Sequence, residues 1–184
     1  MTELSTDRLL LRQWRDSDRE PFAALNSDPA VMEHFTGLQS REVSDGLIDR
    51  TIPAIDERGW GLWAVEVKET GEFIGFTGLS VPSFEAHFMP AVEIGWRLAK
   101  GAWGNGYATE AAKASLAHGF EVAGLDEIVS FTATTNRPSE RVMQRIGMIH
   151  DEAGDFDHPR VPAGHRLQRH VLYRIDRPRW EATR

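Results

Sequence analysis

The sequence contains no cysteine, which excludes disulfides, thiolate metal sites and a cysteine nucleophile and fits a reducing compartment. Long apolar runs are missing too, and none approaches the roughly 18 residues that a membrane-spanning helix needs. The opening stretch MTELSTDRLLLRQWRDSD is polar and of mixed charge. It lacks the apolar core of a secretory signal, so a cytoplasmic location is expected. There is no basic excess: the net charge of −7 argues against a general nucleic-acid binder and is compatible with a cationic substrate such as an amine. What is present is a core. Apolar residues make up 41% of the chain, with six Trp and nine Phe, a composition that folds rather than staying disordered. A length of 184 residues points to one domain.

One stretch organises the rest, Ala91 to Phe120. Ala91 to Ala99 reads as a strand. Gly101-Ala-Trp-Gly104-Asn-Gly106 is a glycine-rich turn. After it, Ala108, Ala112, Ser115, Leu116, Gly119, Phe120 and Ala123 recur at helical spacing on one face. A strand, a glycine turn and a helix N-terminus together make an anion site, because free N–H groups and the helix dipole both favour negative charge there. The glycines let backbone approach the ligand without Cβ clashes, and a phosphate or pyrophosphate is the expected ligand. Gly106 is followed by Tyr107-Ala108 rather than Lys-Ser/Thr, which excludes an NTPase loop. Gly104-x-Gly106-x-x-Thr109 misses the last glycine of the dinucleotide fingerprint.

In chain order, Leu9–Leu11 reads as a strand, and Asp16-Ser17-Asp18 caps a helix that reaches about Asn26. Ser40 caps a second helix ending at Arg58-Gly59, which Pro53 is expected to kink or interrupt. Trp63–Val67 and Glu72–Ser80 form a hairpin around Gly71, with Gly75 and Gly78 marking a twist or a close ligand approach. Beyond the glycine loop and its helix come a strand at Ile128–Thr134, a short helix at Ser139–Ile146, a strand at Met148–Glu152, a long loop from Gly154 to His165 and a last strand at Arg169–Ile175. The order implies an α/β chain with a single mixed sheet and helices on both faces. The strands at Ala91–Ala99 and Ile128–Thr134 are joined by a helical crossover and should run parallel.

The run Trp103-Gly104-x-Gly106-Tyr107-Ala108-Thr109-Glu110-Ala111 resembles the pyrophosphate loop of the GNAT N-acetyltransferases, in their RimJ/RimL-like branch. The family loop begins with Arg or Gln, whereas this chain has Gly101. The resemblance spans nearly the whole chain. It implies a GNAT domain over residues 1–176 and acetyl-CoA as cosubstrate; residues 177–184, at the chain end, read as a loose tail, and no metal is expected. It also implies that the two parallel strands splay apart and that the pantetheine arm enters the gap.

On that resemblance the cofactor-binding residues are Trp96, Leu98, Ala99, Gly101, Ala102, Gly104, Asn105, Gly106, Tyr107, Ala108, Thr109, Asn136 and Ser139. A backbone N–H near Trp96 to Leu98 would polarise the thioester carbonyl. Glu93 is the candidate base: a carboxylate in the apolar strand AVEIGW either has a raised pKa, suited to proton abstraction, or pairs with a neighbouring Arg or Lys. Many members place a Tyr on the short helix as acid, but Met143 stands there. Ser139 replaces the family's alanine; it either reaches the thiolate or caps the helix. Asn136 resembles the residue that bonds the pantetheine amide, and is otherwise a turn former.

His34, Phe35, Trp63 and Asp157 are the candidate acceptor-pocket residues, with Trp14 and Trp60 as further aromatic walls. Asp157, His158, His165 and His170 match no metal spacing. The expected activity is transfer of an acetyl group to a primary amine: a protein N-terminus, a peptide or a small amine. The alternatives are a non-catalytic acyl-CoA-binding module and, more distantly, a nucleotide-binding protein. A short edge strand is compatible with a homodimer.

Overall fold

The computed structural model describes residues 3–184. The chain runs β1 (Leu4–Ser5), β2 (Leu9–Arg12), α1 (Arg19–Asn26), α2 (Arg41–Arg58), β3 (Leu62–Val67), β4 (Glu72–Ser80), β5 (Glu93–Leu98), α3 (Tyr107–Glu121), β6 (Glu127–Ala133), α4 (Arg137–Arg145), β7 (Ile149–His150), β8 (Phe156–Asp157), β9 (Arg169–Asp176) and α5 (Arg177–Thr183). One mixed sheet takes the order β1-β2-β3-β4-β5-β6-β9-β7, with β8 also on β9. The pairing is antiparallel except between β5 and β6.

Strand alternation decides which helix covers which face. Phe76 of β4 meets Phe22 of α1 at 5.9 Å between ring centroids, so α1 covers that face. Ile94 of β5 and Leu79 of β4 belong to the opposite face, in one core cluster with Leu116 and Phe120 of α3 and Met143 of α4. The helices therefore lie on both faces, as the element order implies.

The parallel pair is where the sheet opens. β4 and β5 pair along six residues, and β6 and β9 along seven. Between β5 and β6 a single register pair joins Glu93 to Val129. Two further bonds close that end: Val129 N–H to the Val92 carbonyl at 2.9 Å, and Ser130 Oγ–H to the Ile94 carbonyl at 2.9 Å. Past Ile94 the strands part. A strand residue points its N–H and C=O to the same side, and successive residues alternate. Val92 and Ile94 bond toward β6, so Trp96 and Leu98 turn their backbone groups into the gap.

Several expectations are corrected. The segment 177–184, expected to be loose, is mostly helical. Asp176 Oδ1 accepts the Arg179 N–H at 2.9 Å as N-cap, Pro178 occupies the first turn, and buried Trp180 stacks on Phe120 at 5.2 Å. Pro53 lies inside α2 without ending it; its ring is on the exposed side. The loop after Gly154 is interrupted by β8. Gly75 and Gly78 serve strand packing rather than a ligand: a Cβ would lie 2.1 Å from the Arg97 carbonyl oxygen at Gly75 and 2.0 Å from the Gly61 oxygen at Gly78.

Candidate active site

The parted strands open a cavity of about 800 Å³. Its walls come from β5, the loop and first turn of α3, one face of α4, the loop between α1 and α2, and the segment 158–170.

At one end is the glycine loop. A short 3-10 turn, Lys100–Ala102, leads out of β5. Gly104 and Gly106 follow in the left-handed region, at φ 79° and 80°, where side-chain-bearing residues are strained. The Trp103 indole donates to the Leu98 carbonyl at 2.9 Å, and Asn105 Nδ2 donates to the Ala102 and Trp103 carbonyls at 3.2 Å each. These bonds hold the loop open around its own amides. The first closure of α3 runs from Glu110 N–H to the Gly106 carbonyl at 3.0 Å. Among the described residues, the backbone amides of Gly104, Asn105, Gly106, Tyr107, Ala108 and Thr109 have no acceptor. A run of free donors at a helix N-terminus is an anion cradle. Arg145 of α4 lines both the cavity and the shallow depression beside Gly106 and Thr109.

Toward the closed end of the gap stands Glu93. It lines the cavity with Ser80 and Ser130. Its carboxylate makes no hydrogen bond or ion pair among the described residues, so the expected alternative, pairing with Arg or Lys, is not realised. Burial without a partner pushes its pKa up to about 8. From α4, Ser139 lines the same cavity. The helix cap is Asn136, whose Oδ1 accepts the Ser139 N–H at 3.3 Å. The Ser139 hydroxyl is thus not the cap, and it lines the cavity without a partner among the described residues. Asn136 Nδ2 donates one hydrogen to Thr132 Oγ1 at 2.9 Å, which leaves a second. Met143, at the family's tyrosine position, is buried in the core. The Tyr173 hydroxyl faces Gln144 and Glu140 instead of the cavity.

The remaining candidates divide. Trp96, Leu98, Ala102, Gly104, Gly106, Tyr107, Ala108 and Thr109 line the cavity, as do Asn136, His34 and Phe35. Gly101 and Asn105 lie on the exposed rim of the loop. Ala99 donates its N–H to the Ile74 carbonyl at 2.8 Å, so that donor belongs to the sheet and is not free for a ligand. Trp63 is no pocket wall: it is fully buried, edge-on to His118 at 5.3 Å. Asp157 lies outside the cavity and faces Arg169 at 3.4 Å, both side chains being more than half exposed. His34 Nδ1 lies 3.2 Å from Thr135 Oγ1, bridging the α1–α2 loop to the β6–α4 connection. Sequence reasoning missed Arg97, Phe131 and Arg145, all of which line the cavity. Arg145 had a readable signal, since Pro138, Ser139, Arg141, Val142 and Arg145 form one helical stripe.

Comparison with known proteins agrees with this geometry. Residues 8–149 match the family model described as "Acetyltransferase (GNAT) domain", and the chain belongs to the GNAT acetyltransferases. It is 37% identical over 150 residues to the uncharacterized protein YkkB of Bacillus subtilis, covering 80% of this chain and 85% of that one. It is 32% identical over 187 residues to the FsC-acetyl coenzyme A-N(2)-transacetylase of Aspergillus fumigatus, covering 96% and 77%. Among solved structures, a GNAT-family acetyltransferase from Bacillus anthracis superposes with a TM-score of 0.77 at 26% identity, over 95% and 98% of the two chains. Two structures solved with CoA share the fold at TM-score 0.74: a spermidine N-acetyltransferase from Vibrio cholerae at 17% identity, over 96% and 99% of the chains, and a RimL ribosomal L7/L12 acetyltransferase at 18%, over 95% and 97%.

Proposed function

We propose that the protein is an acetyl-CoA-dependent N-acetyltransferase that passes the acetyl group directly to a primary amine. The acceptor class comprises a protein N-terminus, a peptide or a small amine. Within the family we place it in the RimJ/RimL-like branch on its Trp103–Ala111 motif, acting in the cytoplasm. The observation that carries the reading is the run of unbonded amides from Gly104 to Thr109, set at one end of a cavity whose other end holds an unpaired carboxylate. The transacetylase relative supports it, because its name specifies acetyl transfer from coenzyme A to a nitrogen.

The chain's residues divide the work. Loop amides hold the diphosphate. The Trp96 N–H, turned into the gap, stabilises charge on the thioester oxygen. Glu93 takes the proton from the amine as the N–C bond forms and the C–S bond breaks. Ser139 is the hydroxyl available to return a proton to the departing sulfur. A thiol with a pKa near 8.5 is also a tolerable leaving group unaided.

The test has two parts. Acetyl-CoA should protect the protein against thermal unfolding, and a pooled amine and peptide library should yield acetylated products. Protection without any product would favour the acyl-CoA-binding module, a reading that the buried Met143 and the missing Arg or Gln at Gly101 keep alive.

A further inference from the structure

The face of β5 that carries Glu93 continues through Gly95 to Arg97. Gly95, without a side chain, leaves the floor between them bare. The Arg97 guanidinium is largely enclosed, yet every partner it has is neutral. Nη1 donates to Asn26 Oδ1 at 2.7 Å and to Gln39 Oε1 at 3.2 Å. The group lies 4.2 Å over the Phe35 ring and 5.5 Å from that of Phe76. Its Nε–H is buried and has no acceptor among the described residues. Among the described residues no carboxylate pairs with it. Arg12, also enclosed, is different: it meets Asp18 at 2.7 Å and Glu66 at 2.7 Å. Burial lowers the Arg97 pKa to about 10, which leaves it charged at neutral pH. Enclosed cations are normally paired, so this one, which lines the cavity, lacks an anion.

The cosubstrate diphosphate does not supply it. The phosphate cradle feeds α3, on one face of the sheet, whereas Arg97 points to the α1 face, where Asn26 and Phe76 meet it. The surroundings do not neutralise it either. Glu93 holds its proton up to about pH 8, and Glu33 is exposed at the rim. Arg160, tied to Ser83 Oγ at 3.0 Å, adds another positive group to the lining.

We propose that the acceptor carries, besides its reacting amine, an anionic group such as a carboxylate, and that Arg97 binds it. This rests on the acetyl-transfer reading above. It makes Arg97 a specificity-determining residue, selecting zwitterionic amines and rejecting polyamines. Glu93 and Arg97 are four residues apart in the strand, roughly 13 Å between Cα atoms. Allowing for the reach of both side chains, the nitrogen and the anion of the acceptor stand on the order of 5–9 Å apart.

A ruler of probes tests this on the full chain saturated with CoA. The ω-amino acids from β-alanine to 7-aminoheptanoate, and the amino alcohols of matching length, are titrated by calorimetry into wild type, Arg97→Met and Arg97→Lys. Wild type should bind the best acid at least tenfold more tightly than its alcohol, with an optimum length inside the series. Arg97→Met should erase that preference with CoA affinity intact, and Arg97→Lys should keep part of it. Equal affinity for acids and alcohols, binding of neither, or a preference that survives Arg97→Met would overturn the proposal. The wild-type comparison decides the matter even if a variant fails to fold. CoA release from acetyl-CoA with the same probes separates the two readings. Selective binding of acids without turnover sinks the acetyl-transfer reading alone, and equal turnover of acids and alcohols sinks this one alone.

Discussion

Glu93 carries two predictions of opposite sense. As the proposed base it works only when deprotonated, so kcat/KM should rise with pH toward a plateau above about 8. Glu93→Gln should lower turnover about 100-fold, flatten that limb and leave acetyl-CoA affinity nearly unchanged; identical pH profiles for the two proteins would remove Glu93 from the chemistry. The same burial costs stability. The folded state keeps this proton between the ordinary carboxylate value of 4.5 and about 8, while the unfolded chain loses it. The apo protein therefore weakens as pH rises through that window and levels off above it. Glu93→Gln should remove this loss, making the variant more stable than wild type at pH 8.5, by on the order of 2 kcal/mol, and similar near pH 4. Urea melts at the two pH values check the sign. Gly104 is a second residue-scale case. A Cβ there meets nothing within 4 Å among the described residues, yet φ is +79°. Gly104→Ala should cost about 1 kcal/mol of stability from backbone strain but weaken CoA binding by tenfold or more. A variant that binds CoA normally would separate this turn from the ligand.

At the scale of elements, α5 is a working part of the core. Trp180 stacks on Phe120 and is buried, so Trp180→Ala should destabilise the fold by about 3 kcal/mol in chemical denaturation; a change below about 0.5 kcal/mol would mean the helix is dispensable. Its signals were in the sequence, Asp176 as cap and Pro178 in the first turn, the same logic that located α1. The glycine loop and α3 were legible because glycine spacing and a helical stripe are local properties. β4 was legible to its ends, Glu72 and Ser80, since turn residues bound it on both sides. β1 was not: two residues, joined to β2 only through Leu4–Leu11 and Ser5–Leu10, carry no periodicity. Trp63 was misread because Trp63, Ala64 and Val65 are all buried; a strand covered on both faces does not reveal which face meets a cavity. Arg97 shares the two-residue period of Glu93, so its face was readable. The absence of an acid near it was not, because its neighbours come from the end of α1 and the loop beyond.

At the scale of the whole molecule, charge and site point different ways. The chain is acidic, at −7, and among the described residues no helix is long and apolar enough to cross a membrane. Among the described residues, however, the cavity lining holds four arginines, at 97, 141, 145 and 160, against two acids, Glu33 and Glu93. Global charge therefore does not report the field that a ligand meets inside. The fold assembles that field by parting a single strand pair past Ile94 and setting a helix N-terminus beside the opening. Everything proposed depends on the amides of Gly104 to Thr109 holding the diphosphate of CoA. Calorimetric titration of CoA against pantetheine, which lacks the diphosphate and nucleotide, tests that most directly. CoA should bind at least about 100-fold more tightly, the worth of a few charge-assisted hydrogen bonds. Equal affinity for the two, or no binding of CoA at all, would contradict the account.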